Sequence, residues 1–463
     1  MPFNSFENYP MTWKPEIDRS QHALYRALAE QLERDIADGK LKPGTKLPPQ
    51  RELADFLDIN VSTVSKAFKA CELQGLLTAA VGSGTFVAYS ALTDRRFLSP
   101  APGREIIDMA TALPDDSANG VLAETARRLF KNGGGQKLFS FNSRGEEEWR
   151  RDVAVQFMKR CGHRTHRSRI LFANGGQNAI AAVLAALFRQ GQKIAVDDHT
   201  YPGIKSAAAM FGIKLIPVRT EAEGMVPEDL ERICQSEGIH GVYIISACHN
   251  PTTATLPRQA REKIAAVVRR RNLLLIEDGS FQLLQNGEQA VSDLAPRQSV
   301  YIASLSQVIA PGLRSAYLSV PRRLYRKTAE ALETLNIGSA PLMAELAART
   351  IASGQFEQIV SVHKKHTAER SALVTRLLPQ AIGCEYHMYR WLPLPRGTDG
   401  IAFEQEARNR GVQLYAAERF TVGKTTPACA VRFAVTTPPT AALLEKGLTI
   451  IVQLLGEFAV TRK

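Results

Sequence analysis

At 463 residues the chain is too long for one ordinary core, and two or three domains are expected. A charged fraction of 22% and a hydrophobic fraction of 44% are those of a soluble globular protein, and no apolar run nears the ~18 residues of a membrane helix. The net charge of +12 suits a nucleic-acid partner, yet Lys and Arg roughly balance Asp and Glu within residues 1–90. The excess lies in later stretches such as KRCGHRTHRSR and PRRLYRK, so DNA binding has to be argued from a motif.

The opening segment, MPFNSFENYPMTWKPEIDRS, carries acids and no apolar h-region, which is not a signal peptide, and a cytoplasmic protein is expected. Six cysteines (Cys71, Cys161, Cys234, Cys248, Cys384, Cys429) stand singly, with no C-x-x-C pair and no His cluster at zinc spacing. Reduced thiols and no bound metal follow from that spacing.

From Ser20 to Gly39, Leu24, Leu28, Leu32 and Ile36 recur every fourth position and make one stripe on a helix. A second helix is predicted from about Pro49 to Leu57, burying Leu53, Ala54 and Leu57, and its prolines suit a helix start. A third runs from about Val61 to Gln74 behind the N-cap Asn60, with Val64, Phe68 and Cys71 or Ala67 turned inward. Its other face carries Ser62, Thr63, Ser65, Lys66 and Lys69, short hydroxyls and lysines suited to bases and phosphates. LLTAAVGSGTFVA then reads as a hairpin turning at Gly82-Ser83-Gly84. Helix, helix-turn-helix and hairpin form the winged helix-turn-helix plan, in which the third helix enters the major groove.

The pattern LPxxRxLA…TVxxA…L…G…GxGTFV over this stretch resembles the DNA-binding domain of the GntR family along its whole length. The resemblance implies double-stranded promoter DNA as a partner. It assigns Arg51 as a contact at the start of the second helix, Ser62, Thr63 and Lys66 to the recognition helix, and Gly84 and Thr85 to the wing. A basic residue is common in that family where Val61, Ala79 and Ala80 stand, so affinity is expected to lean on dimerisation.

The proposed boundaries are 1–88 for this domain, 89–104 for a connector and 105–463 for a large domain. Tyr89 to Arg104 has two prolines, a glycine and no periodicity. Beyond it, strands are predicted at Ile170–Ala173, Lys193–Val196, Lys214–Val218, Val242–Ser246, Leu273–Glu277, Val300–Ser304 and Ala316–Val320, with helices such as Gln177–Arg189 and Pro257–Arg271 between them. That alternation calls for an α/β domain with a mostly parallel sheet, which binds ligands beyond the carboxyl ends of its strands. Polar or glycine residues gather at those ends: Gly175-Gly176-Gln177, Asp198-His199-Thr200-Tyr201-Pro202, His249-Asn250-Pro251, Asp278 and Ser304-Leu305-Ser306. Ala310-Pro311-Gly312-Leu313-Arg314 closes the series.

This series resembles the fold-type I pyridoxal-phosphate aminotransferases, as fused to GntR domains in the MocR subfamily of regulators. The resemblance covers about Ile107 to the C-terminus. It implies a phosphate seat made by Gly176, Gln177, Ser304, Ser306 and Arg314, and an aromatic on the pyridine ring, Tyr201. It further implies Asn250 at the ring hydroxyl, Asp278 at the ring nitrogen and Arg432 as the grip on an effector carboxylate. It also implies a homodimer.

Two positions depart from that pattern. Gln307 stands where S-[FL]-S-K-x-[LI]-A-P-G-[LM]-R places the Schiff-base lysine, and Ser280 stands where the family has a tyrosine. An amide forms no imine and shuttles no proton, so no catalytic residue is assigned and any pyridoxal phosphate is expected without a covalent bond. The resulting expectation is a transcription regulator answering a small-molecule effector, either pyridoxal phosphate or an amino-acid-like ligand. An aminotransferase with an accessory DNA-binding domain, and a ligand-independent DNA-binding dimer, remain as alternatives.

Overall fold

The computed structural model describes residues 11–17, 23–37, 40–41, 44–73, 75–80, 84–88, 106–114, 116–131, 135–140, 147–284 and 288–460. The connector 89–104, the turn residues Gly82 and Ser83, and the predicted helix ends at Ser20 and Gly39 lie outside the described residues.

Three helices form the first unit: α1 (Leu24–Ala37), α2 (Gln50–Leu57) and α3 (Val61–Leu73). Leu28, Leu32 and Ile36 of α1 meet Leu53, Ala54 and Leu57 of α2 and Val64, Ala67, Phe68 and Cys71 of α3 in one core. Asp58 ends α2 in the left-handed region at φ 49, returning its N–H to Ala54 and Asp55. Asn60 then accepts the Ser62 N–H at 3.0 Å, which caps the start of α3. The hairpin pairs β1 (Leu77–Ala80) with β2 (Gly84–Val87) in antiparallel register. Backbone bonds from Leu47 to Thr85 and from Val87 to Thr45 lay the segment before α2 along its edge. Trp13, which no periodicity singled out, also enters this core and donates its indole N–H to Asp35 at 2.9 Å.

In the large unit seven strands lie in the spatial order Ile170–Ala173, Ala316–Ser319, Ser299–Ser304, Leu274–Asp278, Gly241–Ile244, Lys193–Asp197, Lys214–Val218. Only Ala316–Ser319 runs antiparallel to its neighbours. Near-continuous burial of the inner strands explains their unbroken apolar runs, while the edge strand Lys214–Val218 is mostly half-buried. Each predicted strand is present, displaced by one or two residues at most. Asp278 is the final residue of its strand rather than the residue after it, and Ser304 ends its strand where the predicted one ended.

A second sheet, not foreseen in the sequence, combines Tyr389–Pro393, Ala430–Ala434 and Tyr415–Ala416. Leu392, Phe403, Val431, Phe433 and Leu448 give it a core of its own beneath the helices Gly400–Asn409 and Ala441–Val460. Ile107–Asp108 pairs in parallel with Val412–Gln413, so the chain leaving the connector enters this C-terminal subdomain first.

Residues 198–205 fasten that subdomain to the central sheet. Val422 donates its N–H to the Asp198 carbonyl and Thr200 donates to Phe420, each at 2.9 Å. Ala428 donates to Nε2 of His199 at 3.1 Å. The ammonium of Lys205, 8% exposed, donates to the carbonyls of Arg419 and Thr421 at 2.8 Å each. Burial, with Arg419 nearby, pushes the Lys205 pKa down to about 7.

In the unfolded chain that lysine titrates at its ordinary 10.5, so between pH 7 and 10.5 the unfolded state holds one proton more than the folded state. Stability therefore rises with pH across that window, by up to about 1.4 kcal/mol per pH unit from this group. Lys205→Met exchanges no proton and is expected to lose that rise in urea unfolding at about pH 7 and about pH 9. Parallel pH dependences of the two proteins would show that the ammonium stays charged against its two carbonyls.

Candidate ligand site and DNA-binding face

Arg51 opens α2 and is exposed, as are Ser62 and Lys66 on α3, while Thr63 is half-buried. The Ser65 hydroxyl bonds Gln50 Oε1, tying the start of α2 to α3, so Arg51 is held beside the recognition helix. In the wing Gly84 is exposed with φ 112 and Thr85 is half-buried. Any Cβ at Gly84 would stand 3.0 Å from Lys46 Cε in a strained backbone, so glycine is required there. The six residues thus lie on one small unit, on two helices and one strand. Val61 leaves an apolar side chain 38% exposed at the front of α3.

The large domain gathers its candidates at the carboxyl edge of the sheet. The helix Gly176–Leu187 starts after Gly175, at φ 94, and no side chain caps it. A Cβ on Gly175 would sit 2.6 Å from Arg314 Nη2, and one on Gly176 would sit 3.2 Å from Ser304 Cβ. Two glycines therefore let a guanidinium and a hydroxyl close on uncapped first-turn N–H groups, a combination suited to a phosphate. Arg314 itself is exposed, in the left-handed region at φ 43, with contacts of 3.5 Å to Ser306 Oγ and the Asn174 carbonyl. The Ser306 N–H donates to Ser304 Oγ at 3.3 Å. Gln177 donates Nε2 to the Gly203 carbonyl at 2.8 Å, leaving its buried Oε1 with no partner.

Asp278 is buried, and its partners are neutral donors: the Tyr243 hydroxyl at 3.0 Å, the Ser280 N–H at 3.1 Å and the Ser280 hydroxyl. Burial pushes its carboxyl pKa up, and no ion pair to it occurs among the described residues. Tyr201 precedes the helix Pro202–Met210, and burial lifts its hydroxyl to about 12. Asp278 raises it further while Arg314 and Arg432 oppose, so the tyrosine sits within the field of all three.

Arg432 lies on the strand Ala430–Ala434 and is 4% exposed. It donates Nη1 to Asn250 Oδ1 at 2.7 Å and Nη2 to the Ala110 carbonyl, while Nε has no partner. The rings of Tyr389, Tyr415 and Phe420 surround its guanidinium at 5.0–5.5 Å. Because Asn250 Oδ1 faces Arg432, the Asn250 amide N–H groups point elsewhere, away from the arginine. Gln307 is half-buried in the turn after Ser304, and its Oε1 is buried without a hydrogen-bond partner.

The structure therefore brings the predicted seat together and adds residues the sequence did not single out. Tyr243 was hidden in an apolar strand, although a tyrosine inside such a run is a signal of a buried hydroxyl seeking a partner. The aromatic side chains around Arg432 come from two separated segments, one at Tyr389 and one spanning Tyr415 and Phe420. A cavity of about 540 Å³ lined by Thr125, Trp149, Arg349 and Gln355 touches none of these residues.

The chain matches two family models: aminotransferase class I and II over residues 104–450, and the gntR family of bacterial regulatory proteins over residues 24–87. It is 48% identical over 460 residues to the HTH-type transcriptional regulator YdeF of Bacillus subtilis, covering 99% of this chain and 100% of that one. The vitamin B6 salvage pathway transcriptional repressor PtsJ of Salmonella typhimurium is 25% identical over 81% of this chain and 86% of its own. An archaeal alanine:glyoxylate aminotransferase superposes with a TM-score of 0.70 at 20% identity, covering 77% of this chain and 92% of its own, which supports the fold-type I architecture. With a winged helix-turn-helix in front of an aminotransferase class I and II domain, the chain belongs to the MocR-type group of the GntR family of bacterial regulators.

Proposed function

We propose that this protein is a homodimeric transcription regulator that reads promoter DNA through its winged helices and answers a small ligand held without a covalent bond in the aminotransferase-like pocket. The observation that carries the reading is the pairing of an anion seat and a buried acid with a carboxamide, Gln307, in the turn between them. Pyridoxal phosphate, when bound, supplies a ring that accepts electrons once its nitrogen is protonated.

The residues divide the work. Gly176 and Gln177, at the uncapped helix start, with Ser304, Ser306 and Arg314, hold a phosphate. Asp278 keeps a proton on a ring nitrogen, Tyr201 covers the ring face, and Asn250 offers an amide N–H to a ring hydroxyl. Arg432 grips a carboxylate by giving up its bond to the Ala110 carbonyl. Gln307 has no amine to offer, which argues against transamination and against the reading of an enzyme with an accessory DNA-binding domain. The name of the Salmonella relative, a repressor of vitamin B6 salvage, supports a ligand of that chemical class over a ligand-independent dimer.

Arg51→Ala and Lys66→Ala are expected to weaken promoter binding, each lowering the slope of log affinity against log salt by about one, with an unchanged thermal melt. Unchanged affinity and slope in both would remove Arg51 and Lys66 from the docking face. The large domain alone, cut within Ser90–Arg104, is expected to scatter light as a dimer at micromolar concentration, and a monomer there would contradict the assembly.

A further inference from the structure

The reading above leaves the form of the ligand open, and one residue bears on it. We infer that the pocket selects the amine form of the phosphorylated pyridine, pyridoxamine phosphate, over the aldehyde form, and that Gln307 sets the choice. The inference rests on the proposed pocket.

Three observations support it. First, Gln307 is placed by the seat itself. It follows Ser306, whose hydroxyl meets Arg314, and stands three positions after Ser304, which closes on Gly176. The strand ending at Ser304 pairs directly with the strand ending at Asp278, with Ile302 opposite the acid. The turn that carries Gln307 thus lies between the phosphate seat and the candidate partner of the ring nitrogen.

Second, the amide oxygen of Gln307 is unspent. Its Oε1 is buried and accepts no hydrogen bond in the protein. A buried acceptor without a donor is costly, and a ligand that brings an N–H relieves that cost. An aminomethyl group, protonated at neutral pH, brings three. An aldehyde oxygen brings only lone pairs, which oppose those of Oε1.

Third, the two forms lose different things when a lysine is absent. The aldehyde form gains most of its hold on an amine-bearing site by condensing with that amine and releasing water, and a carboxamide cannot condense. The amine form makes no such bond with any site, so every non-covalent contact open to it survives.

The test titrates the full-length protein with pyridoxamine phosphate and, separately, with pyridoxal phosphate in amine-free buffer, by calorimetry. Pyridoxamine phosphate is expected to bind at least about tenfold tighter. Gln307→Leu, which keeps bulk and removes the acceptor, should erase the preference by weakening the amine form. Gln307→Glu, which keeps an acceptor, should retain it. Gln307→Lys should reverse it and yield a borohydride-fixed mass adduct at position 307. Each variant is checked by thermal melt and promoter binding, so a misfolded protein is not scored. Equal or tighter binding of the aldehyde form by the unmodified protein overturns the inference while leaving the pocket in place. Binding of neither form overturns the pocket reading and the inference with it.

Discussion

A guanidinium taken nearly out of water has to find both charge-stabilising faces and acceptors for its N–H groups, and Arg432 organises much of this molecule in doing so. Its acceptors come from the turn at Asn250 and from Ala110, soon after the connector, and its ring faces come from Tyr389, Tyr415 and Phe420. Four stretches of chain, around residues 110, 250, 389 and 415–420, therefore converge on one side chain. The clasp of residues 198–205 holds the same region from the other side, because Thr200 and Lys205 bind the backbone on and around Phe420. The central sheet and the C-terminal subdomain meet through these polar contacts and through Met388, Tyr389 and Val422, which join the apolar core of the central sheet.

The parts of this arrangement that were legible in the sequence are those governed by local rules. Strands buried on both faces have to be apolar throughout, so their positions stood out, and the polar residues ending them marked the carboxyl edge. The winged helix was legible because its stripe of leucines, its Asn60 cap and its glycines are all short-range features. The rest depended on contacts between residues far apart in the chain. Lys205 looks like any helix-surface lysine until the backbone of residues 419 and 421 is found around its ammonium. Trp13 looks like part of an unstructured lead until Asp35 accepts its N–H. In the C-terminal sheet Tyr389–Pro393 and Ala430–Ala434 are buried with no polar-apolar alternation, and Tyr415–Ala416 is only two residues long, so the periodic signal is weak.

Within the candidate site the same division holds. Identity of residues at strand ends suggested roles, but the unsatisfied atoms did not follow from identity. Gln177 commits its Nε2 to Gly203 and strands its Oε1, and Gln307 likewise leaves its Oε1 without a partner. Such orphaned atoms are uncommon in folded interiors and point to groups that a bound molecule would complete. Ser280 shows the converse. Its hydroxyl and N–H both turn to Asp278, so a position that departs from the aminotransferase pattern is spent on holding the acid.

The entry strand Ile107–Asp108 has a mechanical meaning. It is the first paired segment after the connector, it lies against Val412–Gln413, and Ala110 just beyond it caps Arg432 with its carbonyl. In the proposed regulator the first paired backbone after the connector is thus anchored on the subdomain that bears Arg432. In that proposal a carboxylate taken up by Arg432 competes with the Ala110 carbonyl, two residues beyond the entry strand.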